Sequence, residues 1–537
     1  MLRTFLLALA AASCTVRAAE PASFLRPGDR WVFSGDSITH NDMYREATEA
    51  VFRHFHPDVP VVFQQAGKPG VTSAEGPGAI SEKPTVVSIL LGINNYINSN
   101  CRPGMPITPF VEGYRKDIAT QIKQYRDAGA VVLLLSPTLP DESFGHGIFE
   151  VQGGSAFLRE CAKVLQELAT ADPTGGFYVP VQEEFEAFQQ RVAPEEILRL
   201  DGVHPSALGQ YQIARTLWQH LALAGAPGGT DRRLATPPNP VPATVSMKNR
   251  FLATADEKPC LLLQAEAPLH VKATWSCGEA RGSAELDLAA APVEWTPELP
   301  PAALPDKPGE IRRLILDLAA GENRSVYLLD LSRVPVSHPT DGRIDGRVES
   351  AKDRPEGKTV ATWSARRLEQ GLLFEGEVFD SELRGDEFWP WGRDGVDLYL
   401  DLRPIERFGG VGFDADVHIT ILSVTDTPSF SATLIPWVGR GMHLAADSGA
   451  ERTATGYRWH LFINHYFAKP RPVRPTDLRL VGFSPVFVDR DAKGTEWYRG
   501  FDNGKAVDKY PNAFPVLDFD GKFAGDAVTS AHLFGGR

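Results

Sequence analysis

Cysteine is scarce in this chain, with five among 537 residues. That density excludes a disulfide scaffold, and no Cys/His spacing resembles a zinc site, so no metal is expected in a catalytic centre. Beyond the N-terminus no stretch approaches the roughly 20 apolar residues that span a bilayer, which argues against a transmembrane segment. Long runs of like charge are missing too. The 55 basic and 68 acidic residues give a diffuse net charge of −13, which argues against nucleic acid as a partner. Glycine-rich Gly409-Gly410-Val411-Gly412 lacks the strand-to-helix context of a phosphate loop. No nucleotide or redox cofactor is expected.

What is present begins with a leader. Arg3 precedes the apolar run Phe5 to Ala12, small residues follow, and Val16-Arg17-Ala18 reads as a cleavage signal, so residues 1–18 are expected to be a signal peptide and the protein to be exported, periplasmic or extracellular. Cys14 follows Ala11-Ala12-Ser13, a weak form of a lipoprotein box with Ala where Leu is usual. The other cysteines, Cys101, Cys161, Cys260 and Cys277, could form up to two disulfides in three pairings, and proximity in sequence favours Cys260 with Cys277.

From 21 to 225 short apolar runs alternate with amphipathic ones. Trp31-Val32-Phe33, Val61-Val62-Phe63, Val86 to Leu91 and Val131 to Leu135 read as buried parallel strands. Met43 to Phe55, Phe110 to Ala128, Ala156 to Ala171 and Ala207 to Ala222 have helical spacing. The alternation predicts an open α/β sheet with helices on both faces, in which ligands bind beyond the carboxyl ends of the strands. A Pro/Gly-rich linker is expected over 226–244, a small β domain of no legible role over 245–334, and a β-sandwich over 335–530.

Three strings in the first region carry chemistry: Gly35-Asp36-Ser37-Ile38, Gly92-Ile93-Asn94-Asn95 and Asp201-Gly202-Val203-His204-Pro205. A serine hydroxyl becomes a nucleophile when an imidazole takes its proton, and a carboxylate holds that ring in the tautomer whose Nε2 can accept. Ser37, His204 and Asp201 fit these roles. The tetrahedral intermediate also needs donors already aimed at its oxyanion. The backbone N–H groups of Ser37 and Gly70 and the side-chain amide of Asn94 are the candidates. His40 is expected to be a loop or substrate-side residue rather than the base.

In these blocks the chain resembles the SGNH hydrolases of the GDSL type, over roughly 21–225. The resemblance places the family's serine on Ser37, its glycine on Gly70 of Gly67-Lys68-Pro69-Gly70, its asparagine on Asn94, and its aspartate and histidine on Asp201 and His204. It implies a flavodoxin-like parallel sheet and an acyl-serine mechanism. Two positions depart from the pattern: Asn95 stands where the family has Asp, and Gln65 where it has Asn. Both are read as altered loop support.

A second resemblance covers about 341–523, through Asp341-Gly342-Arg343-Ile344-Asp345-Gly346, Gly371-Leu372-Leu373-Phe374-Glu375-Gly376 and Trp391-Gly392-Arg393-Asp394-Gly395-Val396-Asp397. This part is similar to family 9 carbohydrate-binding modules. Sugar rings stack on exposed aromatic side chains, and Trp391 with Trp497 are the expected pair, whereas Trp459 is expected to be structural. Together the two resemblances imply an exported serine esterase acting on an ester, most simply O-acetyl, of a polysaccharide or oligosaccharide. The alternatives are a lipid, lysophospholipid or short-chain esterase, and, in another class, a non-catalytic carbohydrate-binding protein on a hydrolase scaffold.

Overall fold

In the computed structural model the chain is described over residues 22–532, apart from 77, 100, 102, 143–150, 172–175, 193–196, 199–200, 229–231, 249–250, 253–257, 308–309, 335, 350–358, 381–382, 384–393, 403–416, 426–430, 437–443, 469–470, 474–479, 492–493, 500–514 and 521–526. The leader, Cys14 and Trp391 lie outside the described residues.

The first region runs β1 (Arg30–Gly35), α1 (Ser37–His40), α2 (Met43–Phe55), β2 (Val62–Gln65), β3 (Val86–Leu90), α3 (Ile93–Ile97), α4 (Thr108–Asp127), β4 (Val131–Leu135), α5 (Gly154–Ala171), β5 (Gly176–Val179), α6 (Val181–Gln189) and α7 (Ala207–His220). The strands form one parallel sheet in the order β2-β1-β3-β4-β5. This is the flavodoxin-like order, and it reverses direction between β1 and β3, where the crevice of such sheets opens. Every residue of β3 is buried, as a strand covered on both faces requires. α2 turns Met43, Tyr44, Ala47, Thr48, Val51 and Phe52 inward, the spacing of a helix with one apolar face. The edge strand β5 escapes sequence reading because only its two end residues are fully buried.

The expected linker is laid along the hydrolase-like region. Arg232 forms a two-toothed pair with Asp29, both contacts at 2.8 Å, and also donates to the carbonyl of Phe24. The next region contains β6 (Ala243–Met247), β7 (Phe251–Leu252), β8 (Leu261–Ala265), β9 (Leu269–Cys277), β10 (Ala280–Leu288), β11 (Val293–Trp295), β12 (Ile311–Ala320) and β13 (Asn323–Val334). One of its antiparallel sheets includes a strand from the far end of the chain. Ala527–His532, expected with the C-terminal sandwich, pairs with β13 and with β7.

This middle region is continuous with the first. One apolar cluster takes in buried residues from Phe24 through to Leu331, with Phe185, Phe188, Ile197 and Leu198 forming a small separate one. Across the seam Tyr211 of α7 donates to the buried Asp330 carboxylate at 2.7 Å, and Arg313 pairs with Glu46 of α2 at 2.8 Å.

Residues 336–518 supply two further sheets, antiparallel except for one short parallel pair of 336–337 with 516–517, that share one core. Trp363 and Phe374 of one sheet meet Phe483 of the other at 5.1 and 4.7 Å between ring centres, and Trp459, buried at 2% exposure, faces Phe487. That is the geometry of a sandwich, in which alternate residues of each strand point inward.

The expected Cys260–Cys277 disulfide is absent. None of Cys101, Cys161, Cys260 and Cys277 is joined in a disulfide. Cys277 ends β9 with its thiol on the carbonyl of Ala303, and burial pushes that thiol's pKa up to about 12. Among the described residues no helix is long and apolar enough to cross a membrane, and no group of three or more His, Cys, Asp or Glu could hold a metal ion.

Candidate active site

At the end of β1 the chain turns sharply into α1. A Cβ at Gly35 would sit 2.1 Å from Thr39 Oγ1 and 2.6 Å from the carbonyl of Leu90, so only glycine lets the turn close against β3. Asp36 caps the helix, accepting the N–H of Ile38 at 2.9 Å. Helix N-termini leave several N–H groups unpaired. With the cap taken by Ile38, the N–H of Ser37 has no partner among the described residues.

Ser37 Oγ lies 2.7 Å from His204 Nε2, and His204 Nδ1 lies 2.7 Å from Asp201 Oδ2. The other carboxylate oxygen, Oδ1, accepts the backbone N–H groups of Val203 and His204, each at 2.8 Å. These contacts orient the ring as a base toward the serine. Burial alone would raise the pKa of Asp201, but the adjacent His204 ring and the hydrogen bonds from His204 and Val203 outweigh it and hold the carboxyl below its ordinary value. Asp36 differs. It is buried with less compensation, and desolvation raises its pKa to about 6.

The serine and histidine loops are tied together through α7. Ser206 caps that helix, and Gln210 donates to the carbonyl of Ile38 at 3.1 Å while accepting the N–H of Tyr44 at 3.3 Å. Gln210 went unnoticed in the sequence, where the signal is a fully buried amide on a largely apolar helix.

The remaining two blocks converge on the same crevice. The N–H of Lys68 bonds to the carbonyl of Gly35 at 2.9 Å. Gly70 turns with a φ of +78°, a left-handed conformation that glycine adopts freely. Its carbonyl accepts the amide of Asn98, and the carbonyl of Val71 accepts the amide of Asn94, both at 3.1 Å. The Asn94 bond fixes which way its amide faces, and since an amide nitrogen has two hydrogens, one remains for an oxyanion.

The two departures from the family pattern have structural accounts. Asn95 accepts the N–H of Ser73 at 3.1 Å and donates to Ser73 Oγ at 2.7 Å, while Ser73 Oγ donates to Asp117 at 2.8 Å. The amide thus does what a carboxylate could not, giving and accepting at once, and Asp117 supplies the negative charge from α4. Gln65 donates to the carbonyl of Gly67 at 3.2 Å, with its Nε2 3.4 Å from His40 Nδ1.

Trp497 falls on the strand Gly494–Arg499, opposite Val488, and its side chain lies outside the described residues. Trp391 is likewise outside them. A cavity of about 560 Å³ lies between the first and middle regions, lined by His54, Trp218, Trp275, Asp317 and Arg324. None of the triad residues lines it, and the Arg324–Asp317 ion pair there is closed at 2.9 and 3.0 Å.

Residues 33–211 match the family model of GDSL-like lipases/acylhydrolases. Among solved structures, a catalytic mutant of an acetylxylan esterase from Geobacillus stearothermophilus is 18% identical, over 38% of this chain and 99% of that one, with a TM-score of 0.32. An alpha/beta hydrolase from the metagenome of Lake Arreo, Spain, is 17% identical over 38% of this chain and 100% of its own, with a TM-score of 0.33. A gut microbial diltiazem-metabolizing enzyme is 13% identical over 50% of this chain and 72% of that chain, again with a TM-score of 0.33. A search of curated proteins found no match. The first region of this chain thus matches the GDSL-like lipase/acylhydrolase family over residues 33–211 and is joined to two β-rich regions.

Proposed function

We propose that the protein is an exported serine esterase that removes short acyl groups, O-acetyl above all, from a carbohydrate. The observation that carries the esterase reading is the unbroken chain from Ser37 through His204 to Asp201, with both links at 2.7 Å. In this reading Ser37 Oγ attacks the acyl carbonyl as His204 Nε2 takes its proton. The N–H groups of Ser37 and Gly70 and the amide of Asn94 receive the oxyanion. Collapse breaks the ester bond, and His204 returns the proton to the departing alcohol oxygen. Water, deprotonated by His204, then attacks the acyl-serine and releases the acid.

The short acyl group is supported by the polar wall beside Asn94, where Asn95 and Asn98 turn their amides onto the neighbouring loop. The carbohydrate is supported by the resemblance of the C-terminal region to carbohydrate-binding modules. Such a module would act by tethering, which raises local substrate concentration without new catalytic contacts.

The test is acetate release from acetylated xylan and pectin by the wild type and by Ser37→Ala. Serine-dependent release, falling at least about 10⁴-fold in the variant, is expected. Cleavage of 4-nitrophenyl acetate with silence on every polysaccharide would remove the carbohydrate from the proposal and leave the esterase.

A further inference from the structure

We propose that His40 is a substrate-recognising residue, whose Nε2 accepts a hydrogen bond from a free hydroxyl on the alcohol half of the ester, beside the acylated oxygen. The inference rests on the esterase reading of Ser37 but does not require the alcohol to be a sugar.

α1 is one closed turn, with the N–H of His40 on the carbonyl of Asp36 and that of Asn41 on the carbonyl of Ser37. Residues three apart on such a turn have Cβ atoms roughly 5–6 Å apart. The His40 ring therefore stands next to the nucleophile. Ile38 and Thr39 between them are buried, whereas His40 is exposed.

The ring is also fixed. Its Nδ1 is 3.3 Å from the carbonyl of Gly67. Gln65 Nε2 donates to the same carbonyl at 3.2 Å and lies 3.4 Å from Nδ1. A carbonyl only accepts and has two lone pairs, so with both nitrogens donating to it the neutral ring presents its lone pair at Nε2. Among the described residues no group occupies that nitrogen. Gly67 lies so close that a Cβ there would come within 2.5 Å of the His40 backbone nitrogen, and three residues later the same loop supplies Gly70 to the oxyanion side.

His40 does not compete with His204 as base. Ser37 Oγ is already bonded to His204, and His40 has a neutral carbonyl behind Nδ1 where His204 has a carboxylate. An acetyl group offers no hydrogen-bond donor. The complement of an exposed acceptor beside the nucleophile is thus a hydroxyl of the alcohol, and an alcohol without one leaves the nitrogen dehydrated and unpaired when it binds.

The experiment compares wild type, His40→Ala and His40→Gln on paired esters with and without a free neighbouring hydroxyl: monoacetylated against peracetylated xylose, and glycerol monoacetate against ethyl acetate. The expected result is a fall of about five- to tenfold in kcat/KM for His40→Ala on the hydroxyl-bearing member of each pair, the worth of one hydrogen bond. Rates on the other members and on 4-nitrophenyl acetate stay within twofold, and glutamine, whose carbonyl can accept, restores part of the loss. Equal loss on both members, or loss on neither, overturns the inference. Should the wild type ignore both xylose esters, the carbohydrate reading fails, and the glycerol pair still decides His40. Inactivity toward every ester overturns both.

Discussion

Asp201 holds His204 at two points, one carboxylate oxygen on the ring Nδ1 at 2.7 Å and the other on the backbone N–H of the same residue at 2.8 Å. A three-residue spacing thereby fixes both the loop and the tautomer. Replacing the carboxylate by an amide keeps an acceptor for the backbone but presents N–H groups or a weaker acceptor to the ring. Asp201→Asn is expected to lower kcat by about 10²- to 10⁴-fold with a small change in KM, measured on 4-nitrophenyl acetate.

The same carboxylate has a pH signature. Its folded pKa lies below the unfolded value of 3.8, so its contribution to stability is present above that value and is lost as pH falls through the folded pKa. In thermal melts between pH 2 and 5, Asp201→Asn should flatten the acid limb relative to wild type. An unchanged slope would contradict the stabilisation of the Asp201 carboxylate by these hydrogen bonds.

Asp36 has the opposite sign. Its carboxyl is buried and its pKa raised from 3.8 to about 6, so stability falls as pH rises between those two values and the full cost, of the order of 2–3 kcal/mol, is present at neutrality. Asp36→Asn retains an oxygen for the N–H of Ile38 and is expected to raise Tm at pH 7–8 while giving no gain near pH 4. Activity should fall, because the negative charge that favours the His204 imidazolium in the transition state disappears.

Around Ser73 the amide of Asn95 and the carboxylate of Asp117 divide the work. Asn95→Asp removes the donor to Ser73 Oγ and sets two carboxylates on one hydroxyl. A loss of about 1–2 kcal/mol in urea unfolding is expected, with partial recovery in Asn95→Asp combined with Asp117→Asn. Additive losses in the pair would show that the two side chains act independently.

The hydrolase domain and the middle region share one apolar cluster, and Tyr211 supplies a hydrogen bond to Asp330, which is fully buried. Tyr211→Phe is expected to cost about 1–3 kcal/mol, because the carboxylate keeps its burial and loses a donor. Residues 22–228 expressed alone should yield little soluble protein, with exposed apolar surface detectable by dye binding.

Much of the hydrolase domain was legible because its signals are local. Met43 to Phe55 and Val131 to Leu135 emerge with the bounds read from their periodicity, since burying a helix face or a two-sided strand dictates which residue types recur. Ser37, Asp201 and His204 stood out for a similar reason: the chemistry demands those side chains, and short turns display them.

The sequence by itself determined the strand-helix alternation and the residue types able to carry acyl transfer. Only the tertiary structure decided what those residues do to one another. It brought Oγ of Ser37 to Nε2 of His204 across a gap of 167 residues, turned Asn95 from a departure into a two-way bridge, and left Cys260 and Cys277 without a disulfide between them. It also sent the strand 527–532 back to β13. Such pairings join segments distant in the chain, and the backbone hydrogen bonds and buried surface that favour them exist only once the partners have met, so no local pattern announces them.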